Sequence, residues 1–343
     1  TEVFGANLNA TTQWKLGRTS MGVEFRNEGV KSNVLGKPMK EPQDVPFEKE
    51  GQYLKSDNRS NISYFLEHNV LLRRFTLSVG VLANYNSALN EGIHFYPGID
   101  ASYRIGDNFR LYGSWNRALR MPTFTDLYYE GKTNKGNPDL KPEESEAFEV
   151  GLKYNTYFLR AHIAGFYRKG KNMIDWVKEK PEDIWESQNL TKVDNLGFET
   201  NLSLLPRELG NERFFIRKIE LGYAFIHQDK DSEGYISNYA LDYLKHKFTA
   251  QLSHSIWKGF SATWYVRWQD RAGSYTKYEN LKPAYEEPYA PYCLADMKVN
   301  WEYQRLNLYA ELNNLLNSTY YDLGNIPQPG IWFKAGFRYS FKY

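Results

Sequence analysis

The chain has 343 residues, with 43 Lys and Arg against 41 Asp and Glu and a formal charge of +2 at pH 7. Such a balance argues against a nucleic-acid-binding domain, and no stretch approaches the ~20 apolar residues of a spanning helix. A lone cysteine, Cys293, excludes a disulfide within the chain. Aromatic residues make up 16% of it, a load that fits the interfacial girdles of a membrane barrel.

From the start, apolar residues recur at every second position. Phe4, Ala6, Leu8, Ala10 and Trp14 alternate with Gly5, Asn7, Asn9 and Gln13. A period of two means a β-strand with one oily and one wet face. Met21, Val23 and Phe25 repeat it against Glu24, Arg26 and Glu28. Phe75, Leu77, Val79, Val81, Ala83 and Tyr85 do so against Thr76, Ser78, Gly80 and Asn84. The same alternation returns at Leu111–Gly113–Trp115, at Leu159–Ala161–Ile163 and at Phe260–Ala262–Trp264–Val266–Trp268. A last strand is expected over 331–343, with Ile331, Phe333, Ala335, Phe337, Tyr339, Phe341 and Tyr343 on one face. The chain is hydrophilic on average, but barrel strands show lipid only alternate residues.

A soluble sandwich alternates too, so the loops carry the distinction. Short turns are expected near 15–19, 73–74, 106–108, 155–156, 257–259 and 303–305, with a longer one at 205–213. Between them fall polar, Pro- and Gly-bearing loops at 31–57, 117–142, 169–188, 229–238, 272–291 and 314–329, and a brief one at 86–92. Alternating short and long connections is the pattern of outer-membrane barrels, with short periplasmic turns and long external loops. The expectation is an all-β, transmembrane, antiparallel up-and-down barrel. About fifteen strands of roughly 9 to 14 residues fit a tilted crossing. First and last strands would both run downward, giving an odd count where bacterial barrels are even. At least one further strand, and a chain that is part of a longer one, are therefore expected.

The segment 116–129, NRALRMPTFTDLYY, is similar to the "SRAFRAPSFNELY" segment of TonB-dependent outer-membrane receptors, and GNPDLKPE follows at 136–143. EVGLKY at 149–154, NLGFE at 195–199, ELNNLLN at 311–317 with Tyr320, and PQPG at 327–330 also resemble that family, in order. The resemblance implies a barrel of about 22 strands around a plugged lumen. Residues 1–343 would be its C-terminal part, with the plug and first strands elsewhere. It further implies the outer membrane of a Gram-negative bacterium, contact with its lipid, coupling to TonB through the plug, and a surface lipoprotein as an optional partner.

Charged strand positions would line the lumen and meet the plug: Glu24, Arg26, Arg110, Arg160, Glu199, Arg267, Glu311 and Arg338. Arg117 and Arg120 either tether their loop, whose prolines and Asn-Pro-Asp turn fix its shape, or offer guanidinium forks to an anionic ligand. Substrate contacts are expected from loop aromatics, namely Tyr128, Tyr129, Trp176, Trp185, Tyr235, Tyr239, Tyr275, Tyr278, Tyr285 and Tyr289. Rings suit a large flat chelate or macrocycle, and several of them serve equally as girdle residues. DKDSEG at 229–234 resembles the first half of a calcium loop but lacks the Glu at its twelfth position, which favours a solvated acidic loop. The six histidines show no metal-ligand spacing, and neither a resident metal, nor a cofactor, nor a catalytic set is expected.

Three function classes follow. The first is an active transporter that binds a scarce nutrient outside and imports it. TQWKLG at 12–17 and LDYLKHKF at 241–248 look like cobalamin-type receptors, with ferric siderophores or haem as rivals. A passive porin or barrel enzyme leaves the receptor motifs unexplained. A soluble β-rich binding protein leaves the sorted loops unexplained.

Overall fold

The computed structural model describes residues 1–341 except 49, 90–91, 181, 211–212, 232–233, 238–242, 281 and 325. Fifteen long strands form one sheet. In chain order they are β1 (Glu2–Trp14), β2 (Gly17–Ser32), β3 (Gln52–Leu71), β4 (Phe75–Asn86) and β5 (Ile93–Ile105). Then come β6 (Phe109–Arg120), β7 (Glu143–Asn155), β8 (Leu159–Lys178), β9 (Trp185–Leu204) and β10 (Ile216–Asp231). The last are β11 (Leu244–Ser255), β12 (Phe260–Arg271), β13 (Tyr292–Tyr303), β14 (Leu306–Asn313) and β15 (Trp332–Tyr339). Each pairs antiparallel with the next in sequence. Among the described residues β1 and β15 pair on one side only, so the up-and-down sheet is an arc with two open edges.

Register sorts the two faces, because residues opposite each other project the same way. Leu8, Val23, Tyr64, Ala83 and Phe95 form one row across five strands. Leu252, Trp264, Met297, Leu312 and Phe333 form another. Both rows are open to the surroundings, with Leu8 at 72% and Phe95 at 62% exposure. A continuous apolar band of this kind is unfavourable in water and suits lipid. Ringed residues border it: Trp115, Phe148 and Tyr167 lie in one row toward the long loops, and Phe109 meets Tyr154 in a tilted pair, centroids 4.6 Å apart, toward the short turns.

The opposite face is polar and concave. One recess on it is lined by Lys153, Arg160, Asn201, Glu220, Gln251, Arg267 and Asp296, which belong to the seven consecutive strands β7 to β13. A sheet touches one space with seven strands only if it curves around that space. The short connections lie at one end. At 257–259, Lys258 and Gly259 both take left-handed φ (35° and 86°), the conformation whose twist matches a tight hairpin.

Several strands are longer than the sequence pattern suggests. β3, β8 and β9 have 20 residues each, and at ~3.3 Å per residue with a ~45° tilt they rise some ~45 Å, well past a ~25 Å apolar band. Most of the expected loop 169–188 is therefore strand, with Trp176 opposite Ser187. Loop 272–291 holds its own hairpin, Ser274–Glu279 with Lys282–Pro288. Loop 31–57 contains Lys37–Asp44, paired to the start of β3. Loop 117–142 contains a five-residue helix, Phe124–Tyr128. The final strand stops at Tyr339 rather than running on, since Tyr339 faces Leu306, where the partner strand begins.

Candidate ligand-binding end of the barrel

The segment carrying the family-like motif is folded onto the sheet rather than left loose. Thr123 caps the helix: its hydroxyl accepts from the Asp126 N–H while the Asp126 carboxylate accepts from the Thr123 N–H. Arg120 donates from Nε and Nη2 to both oxygens of Glu143 at 2.6 Å, and Glu143 Oε1 also accepts from the Ile174 N–H at 2.7 Å. Arg59 grips Glu28 at 2.7 Å, donates to the Pro122 carbonyl at 2.6 Å, and lies 4.8 Å over the Phe124 ring. Ser187, fully buried, donates to the Asp126 carbonyl and accepts from the Asn137 N–H. Asn189 accepts from Lys141 N–H and donates to Lys141 O. The segment is thus pinned to β3, β8 and β9, and Glu28 of β2 holds Arg59 in place.

Of the two expected guanidinium forks, Arg120 is engaged by Glu143, and Arg117 pairs with Glu144 at 3.6 Å. Tyr128 donates to Asp57 Oδ2 at 2.6 Å. Burial first, then this hydrogen bond to a carboxylate, pushes the Tyr128 phenol well above its ordinary pKa. Tyr129 meets Trp176 edge to face with centroids 6.4 Å apart. Trp176 and Trp185 stand in β8 and β9, not in a loop, and Lys178 lies 4.5 Å over the Trp185 ring. Tyr235 packs on a small apolar cluster of Val177, Leu190 and Val193. Together they form a first aromatic group.

The second group is separate. Tyr275 contacts Tyr289 at 5.1 Å and stacks on Tyr321 at 5.6 Å, so the 274–288 hairpin leans on the segment before β15. Burial and the neighbouring Tyr321 raise the Tyr275 pKa. Tyr278 and Tyr285, 55% and 49% exposed, stand on the hairpin's outer part, where the Tyr285 hydroxyl and Glu287 hold the Lys277 ammonium above its ordinary pKa. Tyr239 lies outside the described residues, as do Ser232 and Glu233 of the acidic loop and Leu241 and Asp242 of the 241–248 stretch.

All eight expected lumen residues share the concave face. Glu24 aligns with Ser63 and Arg26 with Asn61; Arg110 aligns with Arg104 and Lys153; Glu199 aligns with Ala164, and Arg267 with Thr249. Glu311 bridges Lys298 at 2.7 Å and Lys334. Arg110, Arg160, Arg267 and Arg338 have no ion-pair partner among the described residues. The sequence reading missed Arg59, Asp57, Ser187 and Asn189, whose partners in the motif segment are 48 to 71 residues away. For Arg59 a signal existed once strands were aligned, since it falls opposite Glu28.

An antiparallel meander with an oily convex face, a charged concave face and elaborated connections at one end defines an outer-membrane barrel wall. A family model described as "TonB dependent receptor-like, beta-barrel" matches residues 1–315. The chain belongs to that family, and its place is the outer membrane of a Gram-negative bacterium. It is 26% identical over 225 residues to the vitamin B12 transporter BtuB of Vibrio vulnificus, a match covering 49% of the chain and 36% of that protein. It is 22% identical over 297 residues to the ferrienterobactin receptor of Escherichia coli, covering 78% of the chain and 38% of that protein. The chain thus matches about a third of the length of these relatives. In fold it resembles the siderophore receptor PirA of Acinetobacter baumannii, with a TM-score of 0.70 at 17% identity over 99% of the chain and 54% of that one. The FrpB iron transporter of Neisseria meningitidis gives 0.71 at 15% identity, over 99% and 55%.

Proposed function

We propose that the chain is the C-terminal part of a TonB-dependent receptor that binds a scarce, large nutrient at its external end and admits it to the periplasm. The observation that carries this is the concave face, where Arg110, Arg160, Arg267 and Arg338 lack ionic partners among the described residues. Three of these guanidinium groups are exposed and that of Arg267 is partly buried, so all four have donors to offer carboxylates or carbonyls, and a folded body inside the barrel is the natural complement. That body is a plug outside residues 1–343, through which TonB would act. The two one-sided edge strands support further strands as well, since an open edge in hydrocarbon is not viable, and the relatives are about twice as long or more. The convex band meets outer-membrane lipid, and a surface lipoprotein is compatible with the exposed hairpin. No catalytic chemistry is part of this reading.

For the ligand we favour cobalamin, on the likeness to BtuB and on ring-rich external elements that suit a macrocycle. The likeness to the ferrienterobactin receptor favours a second reading, a ferric siderophore, with haem in the same class. Equilibrium binding of cyanocobalamin to the receptor containing this barrel, in detergent, tests the first: nanomolar affinity is expected. No binding at micromolar ligand sinks cobalamin and moves the siderophore forward. Uptake that continues unchanged without TonB overturns the transport reading itself.

A further inference from the structure

The two ends of the wall differ in charge. The short connections at 15–19, 73–74, 106–108, 155–156, 205–213, 257–259 and 303–305 hold eight Lys and Arg against three Asp and Glu. The connections at the other end, the brief 86–92 included, hold seventeen against twenty-one. A turn that only needs water has no use for one sign, and the long loops show no such bias. Six of the short-turn cations, Lys15, Arg18, Arg73, Arg74, Lys258 and Arg305, are exposed and have no ion-pair partner among the described residues.

Large apolar residues share these turns. Trp14 and Leu16 flank Lys15, Leu71 and Leu72 precede Arg73, and Ile256 and Trp257 precede Lys258, and each of these six is more than half exposed. The Lys258 ammonium lies 4.7 Å over the Trp257 ring. The first two turns are neighbours, since Gly17 pairs with Val70 and a Cβ on Gly17 would run into the Asn69 carbonyl. Their four cations therefore gather on one stretch of rim, and neither turn holds an acidic residue. Exposed apolar side chains of this size are unfavourable in water, and here they stand where the wall leaves the hydrocarbon. Lys and Arg at that depth keep their stems along acyl chains and their heads at the level of lipid phosphate, where a negatively charged surface attracts them. A soluble acidic protein would match the charge but not the apolar residues interleaved with it.

We infer that the short-turn rim is a docking surface for the headgroups of negatively charged phospholipids in the periplasmic leaflet, with Lys15, Arg73, Arg74 and Lys258 meeting phosphate. This goes beyond the transport reading and does not depend on which nutrient is carried. Lipid composition then acts on the receptor from the end opposite its ligand.

The test uses the receptor carrying this barrel in a neutral detergent, titrated with pyrene-labelled phosphatidylglycerol or phosphatidylcholine, with energy transfer from tryptophan reporting binding. The parent is expected to favour phosphatidylglycerol at least tenfold at low ionic strength, and to lose most of that preference near 1 M salt, where the screening length falls to about 3 Å. Arg73→Gln combined with Arg74→Gln is expected to remove most of it as well, because each Lys or Arg at a lipid surface contributes about fivefold in affinity. Lys37→Gln combined with Lys40→Gln deletes the same charge from the long-loop end and is expected to leave the preference unchanged. Heat-modifiable migration checks that each variant is folded. A parent that takes both lipids equally overturns the docking surface, as does a folded Arg73/Arg74 variant that keeps the parent's preference. An equal loss in the Lys37/Lys40 variant overturns it too, by assigning the preference to net charge. Displacement of the anionic lipid by micromolar polyglutamate overturns it in favour of an acidic protein partner. None of these outcomes touches the barrel or transport reading.

Discussion

Tyr128 shows how one side chain in the motif segment acts. Its hydroxyl holds Asp57 across 71 residues of chain, and its folded-state pKa lies above the ordinary 10.0. A phenol raised in this way binds its proton more tightly folded than unfolded. Its contribution is therefore complete below about pH 10 and is lost as pH rises from there through the folded value. Hydrogen exchange across 123–137 is expected to be insensitive to pH-corrected conditions up to about pH 9 and to accelerate above about pH 10. Tyr128→Phe removes one charge-assisted hydrogen bond, so exchange there rises by roughly tenfold at neutral pH, and the alkaline acceleration disappears. An alkaline acceleration that survives in Tyr128→Phe assigns it to another group. The motif was legible as a sequence string, but its tethering role was not. Nothing in NRALRMPTFTDLYY announces that Arg120 will face Glu143 or that Asp126 will sit over Ser187, because those partners arrive only through strand pairing.

At the scale of elements, the external end is built from strands that overshoot the membrane and from hairpins that lean on each other. The 274–288 hairpin touches the segment before β15 through Tyr275, Tyr289 and Tyr321. Gly324 makes that approach possible, since a Cβ there would come within 2.3 Å of the Tyr275 Cβ. Gly324→Ala is expected to part the two elements: exchange in 274–288 increases several-fold, while the β11–β13 ladder stays protected. Unchanged protection of the hairpin in that variant means the tyrosine stack is not what holds it. Alternation in the sequence located the strands well, but not their upper ends. Lys169–Gln188 carries charges and a Pro, so composition alone reads it as loop, whereas β8 and β9 extend into it because each supplies the other's backbone hydrogen bonds.

For the whole molecule, one face sees lipid and the other an enclosed interior, and this is testable by charge. Val266 lies in the outward apolar row between Ala250 and Ala295, and Gln251 lies inward beside Tyr265. Val266→Lys is expected to destabilise the folded barrel in lipid vesicles by about 2–4 kcal/mol, whereas Gln251→Lys, on the polar face, is expected to cost clearly less. Unfolding titrations in urea read the difference. Equal costs at the two sites contradict the assignment of faces.

What the sequence by itself determined is the solvent on each side of the wall and the family. Period two sets which residues share a face, and the sorting of short and long connections says which end is elaborated; both are local properties. The motifs at 116–143 carried the family for the same reason. Tertiary structure alone decided which polar side chains meet. Asn61, Asn84 and Asn86 come from two strands, Arg59 closes on Glu28 from the next strand over, and Tyr128 reaches back to Asp57. Each pairing depends on inter-strand register and on curvature that brings separated rows around one space, and neither is written in any short stretch of residues.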